Sequence, residues 1–192
     1  RRGETGEVAD RHLFVRPGTD AWLLVALLKR VLELSPPRLP VWAKGFDAVE
    51  AELAAFDGAE CAATAGVALE DIDFLARRML AGPAALYGRL GISTQVHGTL
   101  NCWLIALINL AAGQMDASGG IVFPRAPVDL AATLGAGSAG RWRSRVSGHA
   151  EVFGEYPASA LAEEIETPGA GQVRALFVSA GNPVLSVPNG AE

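Results

Sequence analysis

Three short stretches combine residues able to hold a ligand. The first is Arg16-Pro17-Gly18-Thr19-Asp20. Where such a turn opens a helix, free N–H groups and a positive helix end hold phosphate, and an Asp carboxylate pairs with two N–H donors on the edge of a base. The same residues serve equally as an ordinary turn and helix cap. The second is Gly88-Arg89-Leu90-Gly91-Ile92-Ser93-Thr94-Gln95. Two glycines, one guanidinium and three polar side chains ahead of a helix suit a polyanion, and also suit a plain strand-to-helix turn. The third is Gly181-Asn182-Pro183, in which the Asn either meets a ligand or satisfies its own turn.

Other chemistries find no support. There is no G-x-G-x-x-G and no G-x-x-x-x-G-K-[ST], so classical dinucleotide and P-loop sites are not indicated. His12, His97 and His149 are scattered, and no His or Cys pair has metal-ligand spacing. Ser93 and Ser144 lie in no G-x-S-x-G elbow. Cys61 falls in a run of small residues before a helix, and Cys102 falls inside an apolar helix. Both read as buried, inert thiols.

The elements that must position the three stretches follow from the apolar pattern. The run His12-Leu13-Phe14-Val15 reads as a buried strand ending at the Pro-Gly turn. Residues 21–32 are strong helix formers, with Thr19 or Asp20 as the N-cap. They are apolar nearly all round, which predicts burial on more than one side. The prolines of 35–40 make a linker, and 45–56 form an amphipathic helix. A further helix carries Ile72, Leu75, Ala76 and Met79 on one face. Residues 84–87 read as a second strand, and a long apolar helix runs from about 99 to 112, ended by Gly113. Residues 124–150 are rich in Pro, Gly and Ser and hold Arg141, Arg143 and Arg145 with few acids close in sequence. They are expected to form a long, mobile, irregular loop. A short helix near 157–165 and a third strand at 173–179 complete the chain. Three strands ending in Gly-containing loops, two of them leading into helices, predict an α/β fold: a parallel Rossmann-like sheet flanked by helices. All three loops would lie at its carboxyl edge, where such sheets bind ligands.

Composition narrows the class. The chain has 192 residues, half of them hydrophobic (50%), and a net charge of -5, so a packed core is within reach and disorder is excluded. A net acidic chain is ill suited to coating phosphate backbones, and nucleic acid is not an expected partner. The longest apolar runs, 21–28 and 102–107, are too short to span a membrane. The chain opens on Arg1-Arg2 without Met and closes just after a loop-like stretch, as expected of an internal piece of something larger. Without paired cysteines the cytoplasm is the default compartment; the periplasm stays open, since an export signal would precede this stretch.

Taken in order, Arg-Pro-Gly-Thr-Asp-Ala at 16–21, Tyr-Gly-Arg-Leu-Gly-Ile-Ser-Thr-Gln at 87–95, Leu-Ile-Asn-Leu-Ala-Ala-Gly-Gln-Met-Asp-Ala-Ser-Gly-Gly at 107–120 and Gly-Asn-Pro-Val-Leu-Ser at 181–186 resemble one family. The series is similar to the central part of the molybdopterin oxidoreductases, the dimethyl sulfoxide reductase superfamily, which includes formate dehydrogenases and nitrate reductases. Arg1-Arg2-Gly3-Glu4-Thr5 and Ala9-Asp10 resemble the family's stretch before its Pro-Gly-Thr-Asp turn. The resemblance implies an enzyme that holds bis-molybdopterin guanine dinucleotide with Mo or W for two-electron chemistry. By that analogy Gly18, Thr19 and Asp20 lie at one guanosine end. Arg89, Leu90, Gly91 and either Thr94 or Gln95 approach the pterin and pyrophosphate. Gly181, Asn182 and Pro183 meet the other dinucleotide. Residues 1–95 would end one α/β cofactor-binding domain, and 96–192 would belong to a second, with the loop at 124–150.

Two positions depart from the family's pattern: Leu90 stands where Met is frequent, and Gln114 where Asn is, so a direct role for Gln114 is not implied. Neither cysteine lies in the family's metal-ligand context. The stretches for a [4Fe–4S] cluster, for the metal's protein ligand and for the carboxyl-terminal barrel have no counterpart here, so this stretch alone should show no turnover. Expected partners are the cofactor, the remaining domains of a parent chain and an electron-transfer subunit. Two rival readings differ in class. One is a scaffold that kept the fold without the cofactor, as in the large iron–sulfur subunit of respiratory complex I; the retained Pro-Gly-Thr-Asp and Gly-Asn-Pro argue against it. The other is the middle domain of thiamine diphosphate enzymes, which does not account for four ordered segments.

Overall fold

A computed structural model describes residues 2–124, 126–128, 139–187 and 190. The chain forms two compact units, Arg1–Phe123 and Pro124–Glu192, described in turn.

The first unit is helical. It contains α1 (Glu4–Val8), α2 (Asp20–Leu34), α3 (Phe46–Leu53), α4 (Gly58–Ala65), α5 (Leu69–Ala81), α6 (Leu90–Ser93) and α7 (Gly98–Ala111). Helix α2 is its centre, packed against α4, α5 and α7. Its buried residues Ala21, Leu24, Val25, Ala26, Leu27, Leu28 and Val31 do not share one stripe, because three neighbours cover it. Helix α5 presents Ile72, Ala76 and Met79 inward, the face its spacing predicts. Helix α4 is absent from the sequence expectations. It is short, and its start is fixed by Asp57, whose carboxylate accepts the N–H groups of Ala59 (2.8 Å) and Glu60 (2.9 Å).

Two segments precede α2 and α6 as extended chain. Along 83–88 burial alternates, with Ala84, Leu86 and Gly88 turned inward and Pro83, Ala85 and Tyr87 outward. That is the period of a β-strand. Leu13 and Val15 likewise pack against the core while Phe14 is exposed. Among the described residues neither segment has a strand neighbour, and the only sheet is the antiparallel pair in the second unit. The expected parallel ladder is thus not seen among these residues, although its strand periodicity is.

Helices α2 and α7 run in the same direction. Val25, early in α2, lines one apolar groove with Leu100 and Leu104, early in α7. Arg38, just past α2, donates its backbone N–H to the carbonyl of Ala111, the last residue of α7, at 2.9 Å. Both helices therefore start at one end of the unit. No helix among the described residues is long and apolar enough to cross a membrane.

The second unit holds a hairpin, β1 (Ala139–Arg143) with β2 (Ala150–Val152), in register Ala139 to Val152 and Arg143 to Ala150 across a bulge. A 3-10 turn (Ala158–Ala160) runs into α8 (Leu161–Glu166), and a last helical turn, α9, spans Pro183–Ser186. The irregular loop expected over 124–150 is corrected from Ala139 onward, where the hairpin begins; residues 125 and 129–138 lie outside the described residues. Gln95 and Val96, the expected domain junction, both lie within the first unit, and the division falls at Phe123/Pro124 where the long segment opens. Residues 174–179 are exposed and carry no regular secondary structure, with no strand pairing among the described residues.

Candidate functional site

The turn at 16–19 follows from its residue types. Thr19 N–H and its hydroxyl both donate to the carbonyl of Arg16, at 3.1 and 2.7 Å. Pro17 and Gly18 occupy the two central positions. Gly18 has φ +80, which a type II turn requires at its second central residue, and a side chain there would meet open space. Arg16 is spent on the scaffold: its guanidinium donates to the carbonyls of Ala63 and Thr64 at the end of α4. Thr19 is the N-cap of α2, without a side-chain cap bond, and Asp20 is the first helical residue. The half-buried carboxylate of Asp20 receives no hydrogen bond from any described residue. It is an acceptor held beside the positive end of a fifteen-residue helix.

The second stretch is a tight helical turn on a rigid base. Arg89 precedes α6, exposed, and its guanidinium has no partner among the described residues. Leu90 is 76% exposed, and a side chain at Gly91 would meet nothing. Thr94 and Gln95, which compete for one role in the family resemblance, both turn onto their own loop. The Thr94 hydroxyl donates to the Leu90 carbonyl at 3.1 Å, and Gln95 Nε2 to the Gly91 carbonyl at 3.0 Å. At the start of α7, Gly98 packs so closely on the Ser93 carbonyl that a β-carbon would overlap it. Buried Asn101 then ties α7 to the loop through Nδ2 and the Ile92 carbonyl (3.1 Å), while its Oδ1 has no partner among the described residues. The common direction of α2 and α7 sets both stretches ahead of helices that start at the same end of the unit.

The third stretch belongs to the second unit. Asn182 caps α9, Pro183 occupies its first turn, and the Ser186 hydroxyl donates to the Asn182 carbonyl at 2.8 Å. The Asn182 side chain makes no cap bond.

Several other charged groups pair with one another. Asp73 is held below the usual carboxylate range by hydrogen bonds from Arg77 and then Arg30, and Arg30 is raised in turn by Asp73 and Glu33. Burial pushes the Cys61 thiol up, with Asp57 adding to it, so it is no nucleophile. Cys102 is exposed, contrary to expectation. Helix α7 turns Asn101, Leu104, Ile105 and Ile108 inward, which leaves Cys102, Trp103 and Ala106 on its outer side. Arg145 is paired with Glu164 at 3.0 Å, a partner nineteen residues away in sequence. No cluster of three or more metal-ligating side chains occurs among the described residues.

The sequence reading missed Asn109. Its side chain is fully buried, accepts the Leu86 N–H (2.9 Å) and donates to the Leu86 carbonyl (2.9 Å). The available signal was a lone amide within Leu107-Ile108-Asn109-Leu110, since a buried polar group needs partners.

No family model matches the chain. It is similar along most of its length to larger redox proteins. It is 25% identical over 190 residues to the probable oxidoreductase YyaE of Bacillus subtilis, covering 96% of this chain and 27% of the relative. It is 29% identical over 168 residues to the assimilatory nitrate reductase of Haloferax mediterranei, covering 86% and 23%. It is 25% identical over 210 residues to the nitrate reductase of Klebsiella oxytoca, covering 98% and 23%. The chain thus spans about a quarter of the length of the curated relatives it matches, and it is related to part of an oxidoreductase.

Proposed function

We propose that the chain is the central cofactor-binding region of a molybdenum or tungsten oxidoreductase of the dimethyl sulfoxide reductase superfamily, holding molybdopterin guanine dinucleotide. The observation that carries the reading is the common direction of α2 and α7, each approached from an extended segment through one of the stretches singled out by sequence. Similarity to two nitrate reductases over most of the chain supports it independently. In this reading the segments at 12–15, 84–87 and 173–179 are strands of parallel Rossmann-like sheets completed by the parent chain. Residues 1–95 and 96–192 then contribute to two α/β domains.

The residues fit such a cofactor. Asp20 offers a carboxylate with no donor of its own, suited to the two N–H groups on a guanine edge, with Gly18 and Thr19 beside it. Arg89 offers an unpaired guanidinium for the pyrophosphate, and Gly91 an open approach. Leu90, Thr94 and Gln95 complete that loop, and Gly181, Asn182 and Pro183 would serve the second dinucleotide. When bound, the cofactor supplies two-electron redox chemistry with movement of an oxygen atom or hydride equivalent, while the protein supplies placement and electrostatics. The metal's protein ligand, a [4Fe–4S] cluster and an electron-transfer partner belong to the rest of the parent protein in this reading, and the cytoplasm is its default compartment.

Metal analysis of the full-length parent protein is the test. Molybdenum or tungsten, with guanosine monophosphate released on acid hydrolysis, is the expected result. Absence of both metals and of guanosine overturns the reading in favour of a cofactor-free scaffold.

A further inference from the structure

Asn109 and Gln114 have an arrangement that packing alone does not require. An amide side chain is chemically a peptide group, with one carbonyl acceptor and an N–H donor pair. Asn109 gives Leu86 both bonds that a neighbouring strand would give, and a third N–H bond from its Nδ2 to Ile105 O at 2.8 Å fixes its own orientation. Gln114 holds the segment two residues earlier by one bond and ties it to α5 by another. Its Oε1 accepts the Ala84 N–H at 3.3 Å, and its Nε2 donates to the Met79 carbonyl at 3.0 Å. Gln114 is itself held at its backbone, its N–H on Asn109 O (2.8 Å) and its carbonyl under the Ile121 N–H (2.8 Å).

Ala84 and Leu86 are two apart, so in an extended chain their backbone groups face one edge. The two amides therefore meet that edge at the Ala84 N–H and at both backbone groups of Leu86, leaving the Ala85 and Tyr87 edge without a backbone partner among the described residues. Two residues on, the chain enters Gly88 and the turn at Arg89–Gln95. From inside that turn Asn101, also on α7, takes the Ile92 carbonyl. The turn is thus fastened to α7 on both sides, through Asn109 before it and through Asn101 and the Gly98 N–H on the Gln95 carbonyl within it.

We propose that Asn109 and Gln114 are positioning residues: they clamp the extended segment before the 89–95 turn, and so set where Arg89 and Gly91 are presented to an anionic nucleotide cofactor. The inference rests on the proposed function, and it assigns Gln114 a role through the backbone of Ala84 rather than through contact with the cofactor.

The test uses the full-length parent protein with Asn109→Ala and the volume-conserving Gln114→Met, the latter chosen to preserve the fold. Amide exchange is followed at Ala84, Leu86 and 89–95 against α2 as internal reference, and guanosine monophosphate released per protein is measured alongside. Loss of one buried hydrogen bond corresponds to roughly tenfold faster local exchange. The expected result is that acceleration at 84–95 with α2 unchanged, and a several-fold drop in guanosine content well below the melting temperature. Unchanged exchange at Ala84 and Leu86 overturns the clamp, as does accelerated exchange with full guanosine content. Wild-type protein lacking guanosine is the separate outcome that removes the cofactor reading and the clamp's purpose with it.

Discussion

Glu164 binds Arg145 at two points: one carboxylate oxygen accepts the Arg145 backbone N–H at 2.7 Å, and the other accepts its Nε at 3.0 Å. The guanidinium reaches on to the carbonyls of Glu164 and Thr167, so the turn after β1 is joined to α8 by several polar bonds. Among the described residues of the second unit only Ser144, Glu151 and Ala160 are buried. Polar pairing therefore contributes to holding that part of the unit.

Acid should therefore loosen it. Burial alone would raise the Glu164 carboxyl, but the backbone N–H groups of Val146 and Arg145, with the Arg145 charge, hold it below its usual range. A carboxyl depressed in the folded state contributes stability in full above the ordinary Glu range, and that stability is lost as pH falls through the native value. Protection of the Arg145 and Val146 amides, corrected for intrinsic exchange, should fall between about pH 6 and about pH 3. Glu164→Gln should lower it already at neutral pH and flatten the acid dependence. Equal protection at both pH values in wild-type protein would count against the assignment.

Asp20→Ala should separate ligand binding from capping. Thr19 occupies the cap, and no backbone N–H of α2 is recorded on the Asp20 carboxylate. The substitution should thus cost only the charge–dipole contribution, about 0.3–1 kcal/mol. Guanosine content should fall substantially, with Asp20→Asn intermediate because an amide offers one acceptor where a carboxylate offers two. Full guanosine content in Asp20→Ala would remove Asp20 from the site.

Gly98→Ala should displace the turn it abuts, because its β-carbon would overlap the Ser93 carbonyl and backbone must shift. The expected outcome is faster proteolysis within 89–97 and lower guanosine content, with α2 and α5 still protected. A variant whose cleavage pattern matches wild type would show that the close approach is not needed.

The two thiols should differ in reactivity. Cys102 is exposed on the outer side of α7, whereas Cys61 is 2% exposed and its thiol is shifted upward by burial. Under native conditions near neutral pH a maleimide should label Cys102 first, with Cys61 reacting only on unfolding. Peptide mapping that finds equal labelling would contradict the placement of α7.

What the sequence made legible was periodic or punctuated. Helix α2 could be read because fifteen residues hold few interruptions, and α5 because Ile72, Ala76 and Met79 recur at helical spacing. The Pro17-Gly18 turn could be read because only certain residues take its backbone angles. Helix α4 was hidden, since Gly58–Ala65 is built from small residues without an apolar period. The hairpin was hidden too, because a bulge sets five residues of β1 against three of β2 and Gly140 interrupts the alternation. The tie from Asn109 to Leu86 joins residues twenty-three apart. Its chemistry is written in the Asn, but its address depends on how α7 lies against the extended segment. The same holds for Arg145, whose partner no local charge count could supply.

Backbone without a strand neighbour behaves as a template in solution. Residues 174–179 leave Phe177 92% exposed beside Leu176 and Val178, and Phe14 stands outward on 12–15 in the same way. Such edges pair with any compatible strand, including those of other copies. Left uncovered, these apolar stretches are an aggregation hazard, and the soluble yield of the chain would report how well they are covered.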